Sequence, residues 1–185
     1  LTPWEPAWPA DDLTRAAYRR RLRRYADDRA RDEAHPFFLF RAGDDVLLGG
    51  LTMSNVRRGV AQAATLGYWM GAPYAGHGWM TKAVGAICRH GFEAMRLHRV
   101  EAACLRSNLA SRSLLERNRF RLEGAARAYL KIDGKWADHL LFVITPRDKD
   151  WSLTGIRKGD DGFAQRADLP AAWAGLTDAA LEAAS

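Results

Sequence analysis

Helical spacing of apolar residues marks two segments of the chain. In the first, Tyr18, Leu22 and Tyr25 are three or four residues apart, and Asp12 stands where a cap for this helix is expected. We predict a helix with one buried stripe and an arginine-rich face in solvent. A second helix is predicted after a glycine-rich loop, with one buried face made of Met80, Val84, Ile87, Gly91 and Met95.

Strands are predicted where β-branched and aromatic residues concentrate. "FFLFRAGDDVLLGGLTMSN" predicts two strands joined at residues 43–45, and "AATLGYWM" predicts a third. "HRVEAACL" is a fourth, after which Asn108 is placed to cap a helix in "LASRSLLERN". "AARAYLKI" and "KWADHLLFVI" flank Asp133 and Gly134, a strong hairpin signal. The predicted class is α+β, in the order helix, antiparallel strands, helix, strand, helix and hairpin.

Length and composition predict one domain, or one domain with an appendage. The chain has 185 residues, 48% of them hydrophobic, which is enough for a sizeable core. Its character changes after Arg147, so we expect an N-terminal domain at residues 1–148 and an extension at residues 151–185, with a short helix in "AAWAGLTDAALEAAS". No run approaches the ~18 apolar residues that a membrane helix needs. Cys88 and Cys104 make no disulfide framework, and we expect a reduced, cytoplasmic setting.

The net charge of +6 favours anionic partners. Much of the excess lies in "RAAYRRRLRRYADDRARDE". One interpretation is a solvated helix face, and the other is a surface that lies on RNA. The histidines share no metal-ligand spacing, and no metal is expected.

The loop "GAPYAGHGWMTKAV" joins a predicted strand to a helix. Glycines beside a helix N-terminus leave the backbone amides open to an anion such as phosphate. Such a loop is either a plain turn or a phosphate site.

Two motifs in sequence give the chain a family resemblance. "YAGHGWMTKAV", followed by "NLASRSLLERNRF", resembles the acetyl-CoA signature of the GNAT acyltransferases. "LTPWEP", "HRVEAACLRSN" and "YLKIDGKWADHLLF" are similar to the ribosomal-protein-alanine N-acetyltransferases, and the similarity runs from Leu1 to about Thr145. The resemblance implies a GNAT fold: a mixed, mostly antiparallel sheet, splayed at the acetyl-CoA site, with helices on both faces. It also implies that a first strand and helix, which the family has before "PWEP", are absent.

The resemblance assigns acetyl-CoA to a strand end, the glycine loop and two helix starts. Amides near Gly76 and Gly78 would hold the pyrophosphate, the Met70 N–H would polarise the thioester carbonyl, and pantetheine would lie beside the strand. The implied acetyl-CoA-binding residues are Tyr68, Trp69, Met70, Ala75, Gly76, His77, Gly78, Thr81, Asn108 and Ser111.

Catalytic candidates follow from the same resemblance. Ser111 and Tyr129 are candidates to protonate or hydrogen-bond the departing thiolate, and Tyr129 is alternatively a cross-strand packing residue. Glu5 is a candidate base, with Glu101 as the other. Cys104 is interpreted as a small buried strand residue.

The function implied is acetyl-CoA-dependent acetylation of a protein N-terminus, with a ribosomal protein as acceptor and ribosome association through the basic helix. The alternatives are acetylation of a small amine, or a ribosome- or RNA-associated binding module without turnover. In the extension, "GFAQRADLPAAWAGLTDAAL" resembles the tail of a DHH-type predicted hydrolase family. It carries none of that family's metal-binding carboxylates, so no activity is implied.

Overall fold

The computed structural model describes residues 2–148. Residues 149–185, which hold the predicted extension and its short helix, lie outside the described residues. The elements are α1 (Arg15–Ala30), β1 (His35–Phe40), β2 (Leu47–Arg57), β3 (Ala63–Met70), α2 (Trp79–Glu93), β4 (Arg99–Leu105), α3 (Leu109–Arg117), β5 (Arg121–Ile132) and β6 (Lys135–Ile144).

The strands form one sheet in the order β1-β2-β3-β4-β6-β5. Every neighbouring pair is antiparallel except β3 and β4, which are parallel. A parallel pair requires a crossover, and α2 supplies it. The mixed α+β sheet predicted from the sequence is therefore confirmed, as is the hairpin at Asp133 and Gly134, which joins β5 to β6.

Neighbouring phenylalanines on β1 show that helices cover both faces of the sheet. The Phe37 ring meets His90 of α2 edge-on, with 5.7 Å between ring centroids. The Phe38 ring lies 6.4 Å from that of Tyr25 on α1. Successive strand residues point to opposite faces, so α2 and α1 lie on opposite sides.

The start of α1 differs from the prediction. Thr14, not Asp12, is the N-cap, and its hydroxyl accepts the Ala17 N–H at 3.2 Å. A turn places Thr14 at the helix start, because its N–H donates to the carbonyl of Asp11 at 2.9 Å. The Asp12 carboxylate instead pairs with Arg21 at 2.5 Å.

The buried stripe of α1 was also predicted partly wrongly. Ala17 is buried, whereas Tyr18 is 45% exposed. The helix reaches the sheet through Tyr25, which contacts Phe38, and through Arg29, which donates to the Pro36 carbonyl at 2.7 Å. The contact face is thus rotated away from Tyr18.

The apolar face predicted for α2 is buried, including Met80, Val84 and Ile87. Gly91 allows close packing, since a Cβ there would lie 3.3 Å from the Met53 side chain. The helix ends at Glu93, so Met95 lies beyond it but remains buried. No helix within residues 2–148 has the length and apolar character needed to cross a membrane.

Candidate functional site

The parallel strands β3 and β4 are paired over only part of their length. Their register covers Ala63–Thr65 against Arg99–Glu101. Beyond this point β3 stays paired with β2 as far as Met70, and β4 stays paired with β6 as far as Leu105. Each strand is held by its outer neighbour while the inner edges separate. The result is the splayed gap predicted beside Tyr68, Trp69 and Met70.

Backbone groups of β3 point into this gap. The Gly71 N–H donates to the Leu48 carbonyl on β2 at 2.8 Å. Peptide groups of successive strand residues face opposite sides, so the N–H and C=O of Met70 face away from β2, toward the gap. By the same alternation, the N–H and C=O of Tyr68 face the gap and those of Trp69 face β2. An extended ligand in the gap therefore has strand-type partners on β3.

The glycine loop begins α2 with left-handed backbone. Gly76 and Gly78 have φ values of +80° and +79°, and Gly78 is the N-cap. Only glycine adopts these angles without strain. The Lys82 N–H donates to the Gly78 carbonyl at 3.1 Å, so the helix supplies no acceptor for the amides that precede Lys82 in the first turn.

Open space lies in front of both glycines. A Cβ built at Gly76 or at Gly78 would have no heavy atom within 4 Å apart from its chain neighbours. The glycines thus serve backbone geometry and access, since internal packing does not require them. Free amides, a helix N-terminus and open space make the loop chemically suited to a phosphate group.

His77 in the loop and the residues of the first turn of α2 have different surroundings. The His77 Nδ1 donates to the Ala75 carbonyl at 2.9 Å, so this side chain braces the loop. Thr81 is half-buried in the first turn of α2. Lys82 is exposed, and its ammonium lies 5.8 Å from the centre of the Trp79 ring.

Asn108 caps α3 as predicted and thereby fixes Ser111. The Asn108 Oδ1 accepts the Ser111 N–H at 3.1 Å. The Ser111 hydroxyl is also hydrogen-bonded to the Tyr68 hydroxyl, with 2.6 Å between the oxygens. This second contact joins α3 to the splayed part of β3. The sequence motifs indicate Tyr68 only as part of the strand beside pantetheine and give no sign of its hydroxyl.

Both cysteines are buried near this site. Cys104 is 5% exposed, in agreement with the prediction of a small buried strand residue, and Cys88 is fully buried. Burial raises the pKa of both thiols, so both stay protonated at neutral pH. Residues 2–148 contain no group of three or more side chains that is suited to hold a metal ion.

The contacts of the catalytic candidates Glu5 and Tyr129 are with residues outside the glycine loop. The Glu5 carboxylate accepts the Trp8 indole N–H at 3.0 Å, and its carbonyl accepts the N–H of Asp133 at the hairpin turn. Tyr129 is 44% exposed, and its ring centroid lies 5.8 Å from that of His139. This cross-strand contact fits the packing role that was the alternative for Tyr129.

A cavity of about 110 Å³ lies beside the last β3–β4 pair. Tyr129, Thr65 and Ala103 line it together with charged residues of the sheet. The Glu101 carboxylate there is held by Arg57 at 2.6 Å and by Arg99 at 2.7 Å. Both carboxylate oxygens of Glu101 are therefore engaged by guanidinium groups. No sequence motif pointed to this network, which joins residues from separate strands.

Comparisons with known proteins agree with this geometry. The family described as "Acetyltransferase (GNAT) domain" matches residues 2–121. Probable N-acetyltransferase YjcK of Bacillus subtilis is 37% identical over 142 residues, which are 76% of this chain and 78% of the relative. The [Ribosomal protein uS5]-alanine N-acetyltransferase of Escherichia coli is 34% identical over 148 residues, 80% of this chain and 76% of the relative.

The solved structure of Mycobacterium smegmatis RimJ in complex with CoA-disulfide is similar to this chain. It has a TM-score of 0.78 and 33% identity, over 84% of this chain and 75% of that one. A second family, described as "Uncharacterised protein family (UPF0160)", matches residues 101–185, less than half of the chain. That match shares residues 101–121 with the first.

Proposed function

Because the chain belongs to the GNAT acetyltransferase family, we propose that it transfers acetyl from acetyl-CoA to the free amine at the N-terminus of a protein. The observation that carries the proposal is the splayed gap between β3 and β4, flanked by the glycine loop and by Ser111. The extended thioester arm would lie between the strands, and the diphosphate would lie against the loop. The relatives named for ribosomal-protein alanine acetylation support a protein acceptor.

The residues present suit acetyl-CoA. Amides around Gly76, His77 and Gly78 would bind the pyrophosphate, and Thr81 would add a hydroxyl from the first turn of α2. Backbone groups of Tyr68 and Met70 would bond the pantetheine arm, with Asn108 on its other side. Acetyl-CoA supplies an acetyl group on a thiol that departs readily.

The chemistry asks little of the protein beyond positioning. An N-terminal amine has a pKa near 8, so about a tenth is neutral at pH 7 and is ready to attack. The nitrogen–acetyl bond forms, the carbon–sulfur bond breaks with its electron pair on sulfur, and the nitrogen loses a proton to a base or to water. We propose that the Met70 N–H stabilises the carbonyl oxygen and that Ser111 donates to the sulfur.

The acceptor is proposed to approach from the side of the cavity beside Thr65 and Tyr129. Glu5, whose carboxylate has one indole donor, is retained as the candidate base. Tyr129 is retained as a second candidate donor to the sulfur. Both roles are tested by replacement with Gln and Phe, respectively.

We further propose that the acceptor is a ribosomal protein, that α1 contacts the ribosome, and that the protein acts in the cytoplasm. The surface of α1 is basic, although Arg20 and Arg21 are paired with Asp11 and Asp12. Two unpaired, buried thiols fit a reducing compartment. Ribosome binding that weakens steeply with salt would support this surface, and salt-independent binding would contradict it.

Thiol release from acetyl-CoA tests the proposed reaction directly. The acceptors are a peptide with the Ala-initiated N-terminus of ribosomal protein uS5, the same peptide with its first amine blocked, and a polyamine. We expect release with the free peptide only. Release with the polyamine alone would move the acceptor to small amines. If CoA binds but no amine is acetylated, the protein is a binding module without turnover. Failure to bind CoA would overturn the proposal.

A further inference from the structure

A hydrogen bond between two hydroxyls joins the separated strand β3 to helix α3. The Tyr68 and Ser111 oxygens are 2.6 Å apart, although the residues lie 43 positions apart in the chain. Tyr68 lies beyond Thr65, the last residue of β3 that is paired with β4. The contact therefore lies where the gap has opened, and one of its partners, Ser111, is the residue proposed to face the CoA sulfur.

Each hydroxyl carries one hydrogen, so the direction of donation decides what Ser111 can do. If Ser111 donates to Tyr68, it has no hydrogen for another acceptor. If Tyr68 donates, the Ser111 hydrogen is free. The Cys104 thiol of β4 is also within hydrogen-bonding reach of Ser111, so a Ser111 hydrogen that is not donated to Tyr68 already has one sulfur within reach in the protein.

Resting on the proposed function, we infer that Tyr68 is a positioning residue. Its hydroxyl donates to the Ser111 oxygen and so orients the Ser111 hydrogen toward the sulfur that leaves the acetyl group. Tyr68 thus acts through its hydrogen bond to Ser111. Tyr68 lies outside the sequence motif that contains Asn108 and Ser111.

The phenol is suited to donating a hydrogen bond and poorly suited to donating a proton. Burial raises the pKa of Tyr68 to about 12, so the hydrogen is present throughout the working range. A thiol has a pKa of roughly 8.5, so full proton transfer from Tyr68 to a thiolate would be unfavourable by more than about a thousandfold. The role is therefore orientation.

Titratable groups of three elements act electrostatically on the Tyr68–Ser111 pair and on Cys104 beside it. Cys88 on α2 and Cys104 on β4 act on Tyr68, while Arg112 and Glu116 on α3 act on Cys104. Both thiols have raised pKa values, so both are neutral near pH 7 and neither places a negative charge beside the Tyr68–Ser111 pair.

Tyr68→Phe, which keeps the ring and removes the hydroxyl, tests the inference in the full chain. With acetyl-CoA and the free-amine peptide, we expect kcat to fall about three- to tenfold while KM for acetyl-CoA changes less than about twofold. In a Ser111→Ala background the same change should alter kcat less than about twofold, because the hydroxyl that Tyr68 orients is then absent. Tyr25→Phe, on α1, is the matched control and should leave kcat unchanged.

A second readout needs no acceptor. The thiol of bound CoA is titrated through the ultraviolet absorbance of its thiolate, as a difference spectrum against the protein without CoA. Loss of the oriented Ser111 donor should raise this pKa by about 0.5 to 1 unit in Tyr68→Phe, a three- to tenfold change.

The outcomes separate the two proposals. CoA that fails to bind the wild-type chain would overturn the proposed function and this inference with it. Binding and turnover that are normal in the wild type and unchanged in Tyr68→Phe would overturn this inference alone. So would equal losses from Tyr68→Phe with and without Ser111, because the hydroxyl would then act independently of Ser111.

Discussion

Thr65 and Glu101 form the last residue pair between β3 and β4, and the two strands separate immediately after them. The separation leaves the N–H and C=O of Tyr68 and Met70 facing a gap, whereas the outer edges of both strands remain fully paired. Unpaired strand groups inside a sheet are costly unless water or a ligand meets them. The architecture is therefore that of a site for an extended molecule.

Gly78→Ala should weaken acetyl-CoA binding at least tenfold, ~1.4 kcal/mol. A Cβ there meets no protein atom within 4 Å, so a steric loss would come from the ligand. The left-handed φ of +79° adds backbone strain of about 1 kcal/mol to the folded protein. Calorimetric titration with acetyl-CoA measures the affinity.

Gly59→Ala is the matched control, because Gly59 also has a left-handed φ, +64°, with open space around it. It lies between β2 and β3 at the end away from the glycine loop. Both variants should lose similar stability, and only Gly78→Ala should lose affinity. Equal affinities in the two variants would remove Gly78 from the binding site.

Asn108 can be tested for its two functions separately. Asn108→Ala removes the cap that accepts the Ser111 N–H and should cost about 1 kcal/mol of unfolding free energy. Asn108→Asp keeps the accepting oxygen and so the cap, but removes the amide donor proposed for pantetheine. We expect KM for acetyl-CoA to rise in both variants, and stability to fall only in the alanine variant.

Thermal melts and steady-state kinetics on the two variants distinguish the capping function of Asn108 from its proposed contact with pantetheine. An aspartate variant with wild-type KM would show that the Asn108 amide does not touch the ligand and that the residue serves only as a cap.

Much of the fold was predictable because its signals are local. "AATLGYWM" was predicted as a strand and is β3, and Asn108 was predicted as a cap and is one. Turn residues and short-range periodicity fix such features. The face of α1 that packs on the sheet was not predictable, because it depends on which side chains of β1 lie against the helix. Tyr18 has helical spacing but is exposed, while Ala17 is buried.

The sequence motifs of the site were predictable, but the contacts between side chains distant in sequence were not. The glycine loop and Asn108–Ser111 are contiguous patterns with known consequences for a helix start. The Tyr68–Ser111 bond spans 43 residues. Alternation along β3 places Tyr68 on the same face as Leu66, but the meeting with α3 depends on how that helix packs.

Asp32 should give the protein a defined loss of stability in acid. The hydrogen bond from Arg58 lowers the pKa of Asp32 to about 2; partial burial opposes this, and His35 adds to it. A depressed carboxyl pKa contributes stability above its unfolded value of ~3.9, and the contribution is lost as pH falls toward about 2. Asp32 is 41% exposed on its side chain, so solvent screening reduces the effect.

Asp32→Asn is the test, since asparagine tolerates the left-handed φ of +57° at this position. The melting temperature of the variant should be lower than that of the wild type above about pH 5, and the difference should close between about pH 4 and pH 2. Asp11→Asn removes a more exposed pair with Arg20 and should have the smaller effect. A difference that persists unchanged at pH 2 would contradict the ion-pair explanation.

Truncation after Asp148 should leave the acetyltransferase domain intact. We propose that this domain ends at Asp148, just after β6, because Asp148 closes the end of that strand: its carboxylate accepts from the Thr145 N–H at 2.9 Å and pairs with Arg121 at 2.7 Å. Burial opposes ionisation of Asp148, but the Thr145 and Arg121 contacts outweigh it and lower its pKa. The chain ending at Asp148 should therefore melt within about 4 °C of the full chain, ~1 kcal/mol at this size, and bind acetyl-CoA equally well. A chain ending at Thr145 lacks these contacts and should melt lower. If ending the chain at Asp148 already lowers the melting temperature by more than this, residues 149–185 belong to the fold and the proposed boundary is wrong.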